Sequence, residues 1–270
     1  MGDARPPSPS PPAQVREICN HPCLAADGGA GGGVPAAADS SKLECCLEVT
    51  RAVVAKGDAV VVVSNFKRVL DVVDAVARAA LGPGCRILRI DGGTPVERRQ
   101  QQVDALNCGH GDVFLLSAKA GGAGLNLVGA NHLVLFDSDW NPATDAQAMA
   151  RVWREGQAKP VSIYRLLATG TIDERVYQRQ LLKTDLTAAV QAGAKKRRTG
   201  GGQFSQKELR DLFSLNLATD CDTFDKLRRE GGLAAGGPAA EASWANRLGG
   251  LGPDSALFGA RHLVSFLRVL

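Results

Sequence analysis

Apolar positions change their spacing along the chain in a regular way, and the changes predict alternating strands and helices. Residues 59–63 (AVVVV) are an unbroken apolar run of mostly β-branched residues, as expected of a strand buried on both faces of a parallel sheet. Val69, Val72, Val76 and Ala80 then recur at helical spacing. This stretch therefore predicts a strand followed by a helix.

The same alternation continues, with short connections, to about residue 192. It predicts an α/β fold, a parallel sheet with helices on both faces and right-handed crossovers. Loops at the carboxyl ends of the strands should form the binding edge. Further strands are predicted at 85–91, 112–116, 132–137 and 161–167. Helices are predicted from Ser40 or Ser41 to about Ala55, after Ser64-Asn65, from Thr94-Pro95 to about Asn107, from Asn141-Pro142 through Arg151 and Arg154, and from Thr171 to about Ala192.

Composition divides the chain into segments. Residues 1–14 are rich in Pro and Ser and are expected to be disordered. Residues 15–192 are predicted to form the α/β domain, with an Ala/Gly loop inserted at 25–38. Residues 193–230 combine a basic linker with a short helical extension, and residues 231–270 form a Gly/Ala-rich, atypical tail.

Charge and hydropathy narrow the classes of function. A formal net charge of +4 permits binding to nucleic acid without requiring it. No stretch offers about 18 uninterrupted apolar residues, so a membrane span is not expected. The basic run at 195–198 (KKRR) is open to three interpretations: a nuclear-import signal, a contact to DNA phosphates, or a solvated linker.

The seven cysteines form no regular framework, and we expect them to be reduced, as in the cytosol or nucleus. Cys19, His21 and Cys23 suggest a zinc site, but no second half with suitable spacing follows. Core or capping roles are therefore the preferred interpretation, and no metal site is predicted in this chain.

The segment from Ser117 to Gln157 carries the candidate chemistry. Its glycines (121, 122 and 124) follow a strand and would let the backbone approach a phosphate, although a simple tight turn explains them as well. Arg151 and Arg154 would share a helix face, with Gln147 one turn earlier, and could hold a polyphosphate. A salt-bridged or solvated pair is the alternative.

The whole string around these residues resembles known motifs. AGGAGLNL and DSDWNPATDAQAMARVWREGQ are similar to motifs V and VI of the superfamily-two helicases, and more narrowly of the SWI/SNF-type double-stranded-DNA translocases. ICNHPCL, VVVSNFKRVLDVV and LRIDGGTPVERRQQQVDALN resemble earlier elements of the same lobe, in the right order. QFSQKELRDLFSL and CDTFDKLRRE resemble the C-terminal extension of the recombination-associated branch, the Rad-fifty-four-like translocases.

This resemblance implies a RecA-like (P-loop NTPase-like) fold, the second lobe of a two-lobed motor with ATP and Mg²⁺ in the cleft. By position, Arg154 is implied to be the arginine finger on the γ-phosphate, with Arg151 as its partner. Gln147 would help to orient them. Gly122 and Gly124 match the backbone that senses nucleotide and DNA together.

The resemblance also implies the partners of this lobe, which are double-stranded DNA, the first lobe of the same motor and, for this branch, a strand-exchange recombinase. It implies a nuclear protein. Trp140 would lie near the DNA-facing edge, although a packing aromatic is an equal alternative. The other residues implied to contact DNA phosphates are Ser64, Lys67, Arg89, Ser117, Lys119 and Asn126.

One departure from the family is decisive. No G-x-x-x-x-G-K-[ST] phosphate loop occurs, and the only Asp-Glu pair, Asp173-Glu174, falls in a predicted helix. The first lobe, which would hold magnesium, is thus expected to be absent, as in a fragment, an incomplete gene model or a stand-alone lobe. The leading hypothesis is the C-terminal lobe of an ATP-dependent DNA translocase in homologous recombination and repair. The alternatives are a non-catalytic lobe that binds DNA or a partner, and a chromatin-remodelling translocase.

Overall fold

A computed structural model describes residues 11–25, 35–120, 124–191, 206–219 and 221–229. Within these ranges the elements alternate as the hydrophobic pattern predicts. The helices are α1 (Pro11–Asn20), α2 (Ser41–Ala55), α3 (Lys67–Leu81), α4 (Val96–Asn107), α5 (Pro142–Met149), α6 (Ile172–Gln191), α7 (Gln206–Leu212) and α8 (Asp222–Arg229). The strands are β1 (Val60–Ser64), β2 (Ile87–Ile90), β3 (Val113–Ser117), β4 (His132–Leu135) and β5 (Ser162–Arg165).

The five strands form one parallel sheet in the order β2-β3-β1-β4-β5. All five residues of the central strand β1 are buried, which explains its run of valines. Val61 pairs with Phe114 of β3 on one side and with Leu133 of β4 on the other. The α/β fold with a parallel sheet is therefore confirmed.

Helices cover the two faces of the sheet unequally. Helices α2 and α3 pack on one face, where their leucines and valines meet Val60 and Val62 of β1. On the opposite face, α4 and the residues that follow α5 pack with Val61 and Val63, together with the segment that links β3 to β4. Alternate residues of β1 thus belong to two separate cores.

A third, smaller cluster joins the two ends of the lobe. Ile172 and Val176 of α6 are buried with Leu212 of α7, and Val15 of α1 packs against them. Glu174, fully buried, accepts a hydrogen bond from the backbone amide of Thr223 in α8 at 2.7 Å. The helical extension is therefore attached to the lobe through α6.

Local chemistry explains some helix starts and not others. Ser40 caps α2 by accepting from the Leu43 amide at 3.2 Å, and Asn141 caps α5 in the same way, as predicted. Two other helices begin without a side-chain cap. The residue that precedes α4 is Pro95, because the Thr94 hydroxyl accepts from the Asp91 amide instead. Similarly, the Ser64 side chain is used elsewhere and Phe66 precedes α3.

Two further expectations are settled at the N-terminus. Helix α1 begins at Pro11, inside the segment 1–14 that was expected to lack structure, so that boundary lies too late. His21 uses both ring nitrogens on the backbone, with Nδ1 accepting from the Cys23 amide and Nε2 bonded to the Ala36 carbonyl. This is a capping role.

The basic run 195–198 and the tail 231–270 lie outside the described residues.

Across the parts of the chain that the structure covers, none of the helices combines the length and apolar character that crossing a membrane would require.

Candidate functional site

At the carboxyl end of β1, the connection after β1 and the connections after its two neighbouring strands go to opposite faces of the sheet. Helix α3 follows β1 onto one face, whereas the segments after β3 and β4, which flank β1, leave to the other face. Such a switch point opens a crevice where ligands bind in parallel α/β sheets. The predicted site residues Ser64 and Ser117 end the neighbouring strands β1 and β3 here.

A buried carboxylate occupies this crevice. The side chain of Asp137 is fully buried and accepts hydrogen bonds from the Ser64 hydroxyl, the Asn65 amide at 2.9 Å and Asn65 Nδ2 at 2.8 Å. Burial raises the pKa of Asp137, against the lowering effect of Lys42 and of these donors. Both carboxylate oxygens are engaged within the protein, so Asp137 holds β1 and β4 together.

An arginine from α1 closes the crevice from above. The guanidinium of Arg16 donates to the Ser138 carbonyl and lies 3.9 Å from Asp137 Oδ1. It also sits over the rings of Phe66 and Trp140, at 5.0 and 5.8 Å from their centroids. The side chains of Asp137 and Arg16 therefore occupy the switch point of this lobe.

This arrangement places Trp140, one of the predicted DNA contacts. Trp140 is half-buried and packs with Val15, Ile172 and Leu212 in the third cluster. The geometry favours the packing alternative, and a DNA contact of Trp140 stays a prediction.

Arg16 was missed by sequence reasoning because an arginine on a short polar helix is ordinarily solvated.

The predicted helix through Arg151 and Arg154 is wrong. Helix α5 ends at Met149, and the chain continues in tighter turns, with the Arg151 amide bonded to the Ala148 carbonyl at 3.1 Å. The physical reason is tertiary. The Arg151 carbonyl, which in a continued helix would accept from the amide four residues later, accepts from the Leu127 amide instead, and Val152 is completely buried against the sheet. Gln147 remains on α5 and is exposed.

The two arginines are nevertheless brought against the loop that follows β3. The Leu127 amide donates to the Arg151 carbonyl at 3.0 Å, and Arg154 Nη1 lies 3.5 Å from the Leu125 carbonyl. Arg154 is exposed and Arg151 is half-buried. We name residues 124–130 the loop segment and residues 150–157 the arginine turn.

The loop segment carries two further predicted residues. Gly124 is exposed and has a positive φ of 71°, the left-handed region that glycine adopts without strain. Gly122 lies outside the described residues. Asn126 is exposed, and its carbonyl accepts from Asn107 Nδ2 at 2.9 Å, which ties the loop segment to the end of α4.

The remaining predicted DNA contacts differ in their availability. Lys67, at the start of α3, and Lys119, just after β3, are exposed. Ser64 and Ser117 are buried, and Ser64 is already bonded to Asp137. A DNA contact at these two serines would therefore have to use their backbone groups rather than their hydroxyls.

Arg89 is the most heavily paired member of the set. Its Nη2 lies 2.6 Å from Asp71 Oδ1 and 2.8 Å from Asp91 Oδ2, and Asp74 lies 4.0 Å from Nη1. Its charge is thus balanced within the protein. We expect Arg89 to organise this corner of the lobe rather than to meet DNA.

The described residues suit the polyphosphate of a nucleotide better than the magnesium ion that accompanies it. Two arginines beside a glycine-containing loop suit a polyphosphate. In the described ranges, by contrast, His, Cys, Asp and Glu side chains form no group of three or more that could hold a metal ion.

Comparisons with known proteins agree with this geometry. Residues 41–156 match the family described as "Helicase conserved C-terminal domain". The chain is 51% identical over 170 residues to human "DNA repair and recombination protein RAD54B", covering 62% of this chain and 18% of that protein. It is 39% identical over 236 residues to chicken "DNA repair and recombination protein RAD54-like", covering 79% of this chain and 31% of that one. The chain thus spans only 18% to 31% of the length of these two curated relatives.

Solved structures give the same result for the fold. The "SWI2/SNF2 ATPase core domain" of Sulfolobus solfataricus superposes with a TM-score of 0.58 at 25% identity, covering 76% of this chain and 40% of that one. The same core "in complex with dsDNA" gives a TM-score of 0.58 at 25% identity, with 76% and 41% covered.

Proposed function

The chain carries a helicase C-terminal lobe of the SWI2/SNF2 type, related to the Rad54-like proteins, and we propose that it forms one wall of the ATP site in a double-stranded-DNA translocase. The translocase acts in homologous recombination and DNA repair, in the nucleus. Its first lobe supplies the phosphate loop and the magnesium ligands. The lobe described here supplies the arginines and part of the DNA track.

One observation carries this proposal. The arginine turn leaves the helical path after Met149, and the bond from the Leu127 amide to the Arg151 carbonyl holds Arg151 and Arg154 beside the loop segment. Two guanidiniums held there can neutralise the charge that develops on a transferred phosphoryl group. ATP with Mg²⁺ supplies that group, and water accepts it. Arg154, being exposed, is the residue that reaches across to a second lobe, and Arg151 supports it.

The occupied switch point also supports the proposal that the first lobe holds the nucleotide and this lobe supplies the arginines. Arg16 and Asp137 occupy the crevice of this sheet, which favours a lobe that meets a nucleotide held by a second lobe. It acts as a partner wall. Closure of the two lobes then places Arg154, and their opening releases the products.

The test uses the longer motor, or a chimera that joins this chain to the first lobe of a relative. We expect Arg154→Ala to lower DNA-stimulated ATP hydrolysis by about three decades or more. Arg78→Ala, which removes an exposed arginine of α3, is the matched control and should retain activity. The isolated 270-residue chain should show no turnover. Full activity of Arg154→Ala would reject the finger assignment.

Two other functions remain as rivals. The relative from Arabidopsis thaliana named "Protein CHROMATIN REMODELING 25" is 51% identical over 173 residues, which favours remodelling as an alternative task for the same motor. The absence of a phosphate loop from the sequence favours a non-catalytic lobe that binds DNA or a translocase partner. An in-frame phosphate loop and acidic box in the genomic sequence upstream would exclude the second rival. Nucleosome sliding assays, compared with recombinase-dependent strand-pairing assays, would distinguish chromatin remodelling from a role in recombination.

A further inference from the structure

Gln157 connects the arginine turn to the loop segment through its side chain. Its Nε2 lies 2.8 Å from the Ala130 carbonyl and 3.3 Å from the Val128 carbonyl, both in the loop segment. The same nitrogen lies 3.4 Å from the Val152 carbonyl within the turn. Its Oε1 accepts from the Lys159 amide at 3.0 Å. A neutral amide with two donor hydrogens is therefore placed among three backbone acceptors.

The backbone around Gln157 makes this contact short and stiff. Its own amide donates to the Arg154 carbonyl at 3.1 Å, so that Gln157 and Arg154 close one turn. Gly156 between them has a φ of 95°, a conformation that lets the chain reverse there. The Leu127 amide bonds the Arg151 carbonyl at 3.0 Å from the other side. The turn and the loop segment are therefore joined at both ends.

The loop segment is held on its far side as well. Asn107 at the end of α4 donates to the Asn126 carbonyl at 2.9 Å and accepts from the Gly129 amide at 2.8 Å. The segment thus sits between a fixed helix end and the arginine turn. Any displacement of Asn126 or its neighbours must be passed on through the contacts of Gln157 and Leu127.

We propose that Gln157 is a positioning residue that couples the loop segment to the arginine turn, so that DNA bound beside the loop changes the placement of Arg154. This inference rests on the proposed function, because it assigns a trigger to the same arginines. The residue type matters. A carboxylate at this position would set an acceptor against three carbonyl oxygens, and an apolar side chain would leave them without a donor.

The first experiment uses the 270-residue chain and needs no activity. Gln157→Met keeps the shape of the side chain and removes the donor. Gln100→Met is the matched control, since Gln100 is exposed on α4 and bonds only Asp104 in the next turn. Hydrogen exchange followed at the Leu127 amide should accelerate about tenfold in Gln157→Met, as expected for one lost hydrogen bond. It should stay unchanged in the control, and the β1 amides should stay protected in both.

The second experiment uses the two-lobed motor. We expect Gln157→Met to lower the ratio of DNA-stimulated to basal ATP turnover at least fivefold, while the KM for ATP stays within twofold. A merely structural residue would change the melting temperature and leave that ratio intact. Unchanged exchange at Leu127, or a wild-type ratio in a protein where Arg154→Ala abolishes turnover, would overturn the coupling alone. Retained turnover in Arg154→Ala would instead reject the proposed function, and the coupling with it.

Discussion

The Asp137 carboxylate accepts a hydrogen bond from the Asn65 backbone amide at 2.9 Å, which joins the ends of the neighbouring strands β4 and β1. The two residues are 72 positions apart in the chain. The Asp137 side chain is fully buried, and Arg16 lies 3.9 Å from it. The centre of the sheet edge is therefore stabilised by a polar network, whereas both faces are stabilised by apolar packing.

We predict that Asp137→Ala destabilises the lobe by about 3–5 kcal/mol, because it leaves the buried Arg16 charge and several donors without their acceptor. Asp104→Ala, on the exposed face of α4, should change stability by less than about 0.5 kcal/mol. Urea unfolding followed by circular dichroism measures both. A loss below about 1 kcal/mol for Asp137→Ala would contradict the network.

A second buried ion pair joins α2 to α6. Lys42 bonds the Asp173 carboxylate, and their side chains are only 2% and 1% exposed; Lys42 also donates to Asn20 Oδ1 at 2.8 Å. We predict that Lys42→Met alone costs about 3–5 kcal/mol, since it leaves Asp173 buried without a partner.

The double variant Lys42→Met with Asp173→Leu should recover most of this loss, because it removes both desolvated charges. A double-mutant cycle from denaturant unfolding should therefore give an interaction energy of at least about 2 kcal/mol. The pair Arg78–Asp74, one helical turn apart with an exposed arginine, serves as the control cycle, with less than about 0.5 kcal/mol expected. Equal values for the two cycles would show that the buried pair is not special.

Much of the fold could be predicted because its signals are local. The valines of β1 can be buried on both faces only in a central strand, whichever partners it has. Ser40 and Asn141 lie directly before apolar helical patterns and cap their helices within three residues. Order and type of the strands followed from such signals.

The details that shape the candidate site depend on contacts distant in sequence. Helix α5 ends at Met149, where the Leu127 amide takes the Arg151 carbonyl as its acceptor, and the sequence of the helix itself does not predict this contact. Likewise, Arg16 is buried because Asp137, which is more than a hundred residues away, offers it a partner. Periodicity carries no information on either contact.

His132 gives the lobe a predicted dependence on pH. Burial lowers the pKa of His132 below its ordinary 6.5, although the Asp58 carboxylate, 3.5 Å from Nε2, opposes the shift. The unfolded chain therefore binds the proton first as the pH falls. The free energy of unfolding should decline below about pH 6.5 and level off once the pH passes the folded pKa of His132.

The Asp58 carboxylate, which faces this ring, titrates at lower pH. Burial tends to raise the pKa of Asp58, but hydrogen bonds from Lys159 and Asn131 hold it below its ordinary 3.8, so its loss of stability begins only at lower pH. His132→Phe keeps the ring that stacks on Tyr164, with centroids 5.9 Å apart. It should remove the decline below pH 6.5, measured as urea midpoints at each pH. A persistent decline would assign it to another group.

Gly170 is predicted to control attachment of the helical extension. Its carbonyl accepts from the Asn216 amide at 2.9 Å, and a Cβ at Gly170 would lie 2.0 Å from the Asn216 carbonyl oxygen. Gly57 has a similar φ, 75° against 67°, but open space around it. Gly57→Ala should therefore cost only about 1–2 kcal/mol of backbone strain.

Gly170→Ala adds a backbone collision to the same strain, so residues 213–219 should detach. Limited proteolysis should cut this segment at least tenfold faster in Gly170→Ala than in Gly57→Ala or the wild type. Equal cleavage of all three would show that the extension is held by α8 alone, through contacts such as the 2.7 Å ion pair of Arg175 with Asp222.

The last prediction concerns how the exposed basic residues bind DNA. Each phosphate that a lysine neutralises releases counterions, so the logarithm of the affinity falls with the logarithm of the salt concentration. Lys67→Ala and Lys119→Ala should each reduce that slope by about 1 and weaken binding to all sequences alike.

Arg89→Ala should behave differently from the two lysine variants. Its guanidinium is already neutralised by Asp71 at 2.6 Å and Asp91 at 2.8 Å, so the salt slope should not change, whereas stability should fall as the carboxylates lose their partner. Fluorescence titrations of the full chain with duplex DNA, at roughly 50 to 200 mM salt, separate these outcomes. A slope reduced in Arg89→Ala as in Lys67→Ala would mean that DNA displaces the carboxylates and that Arg89 contacts phosphate after all.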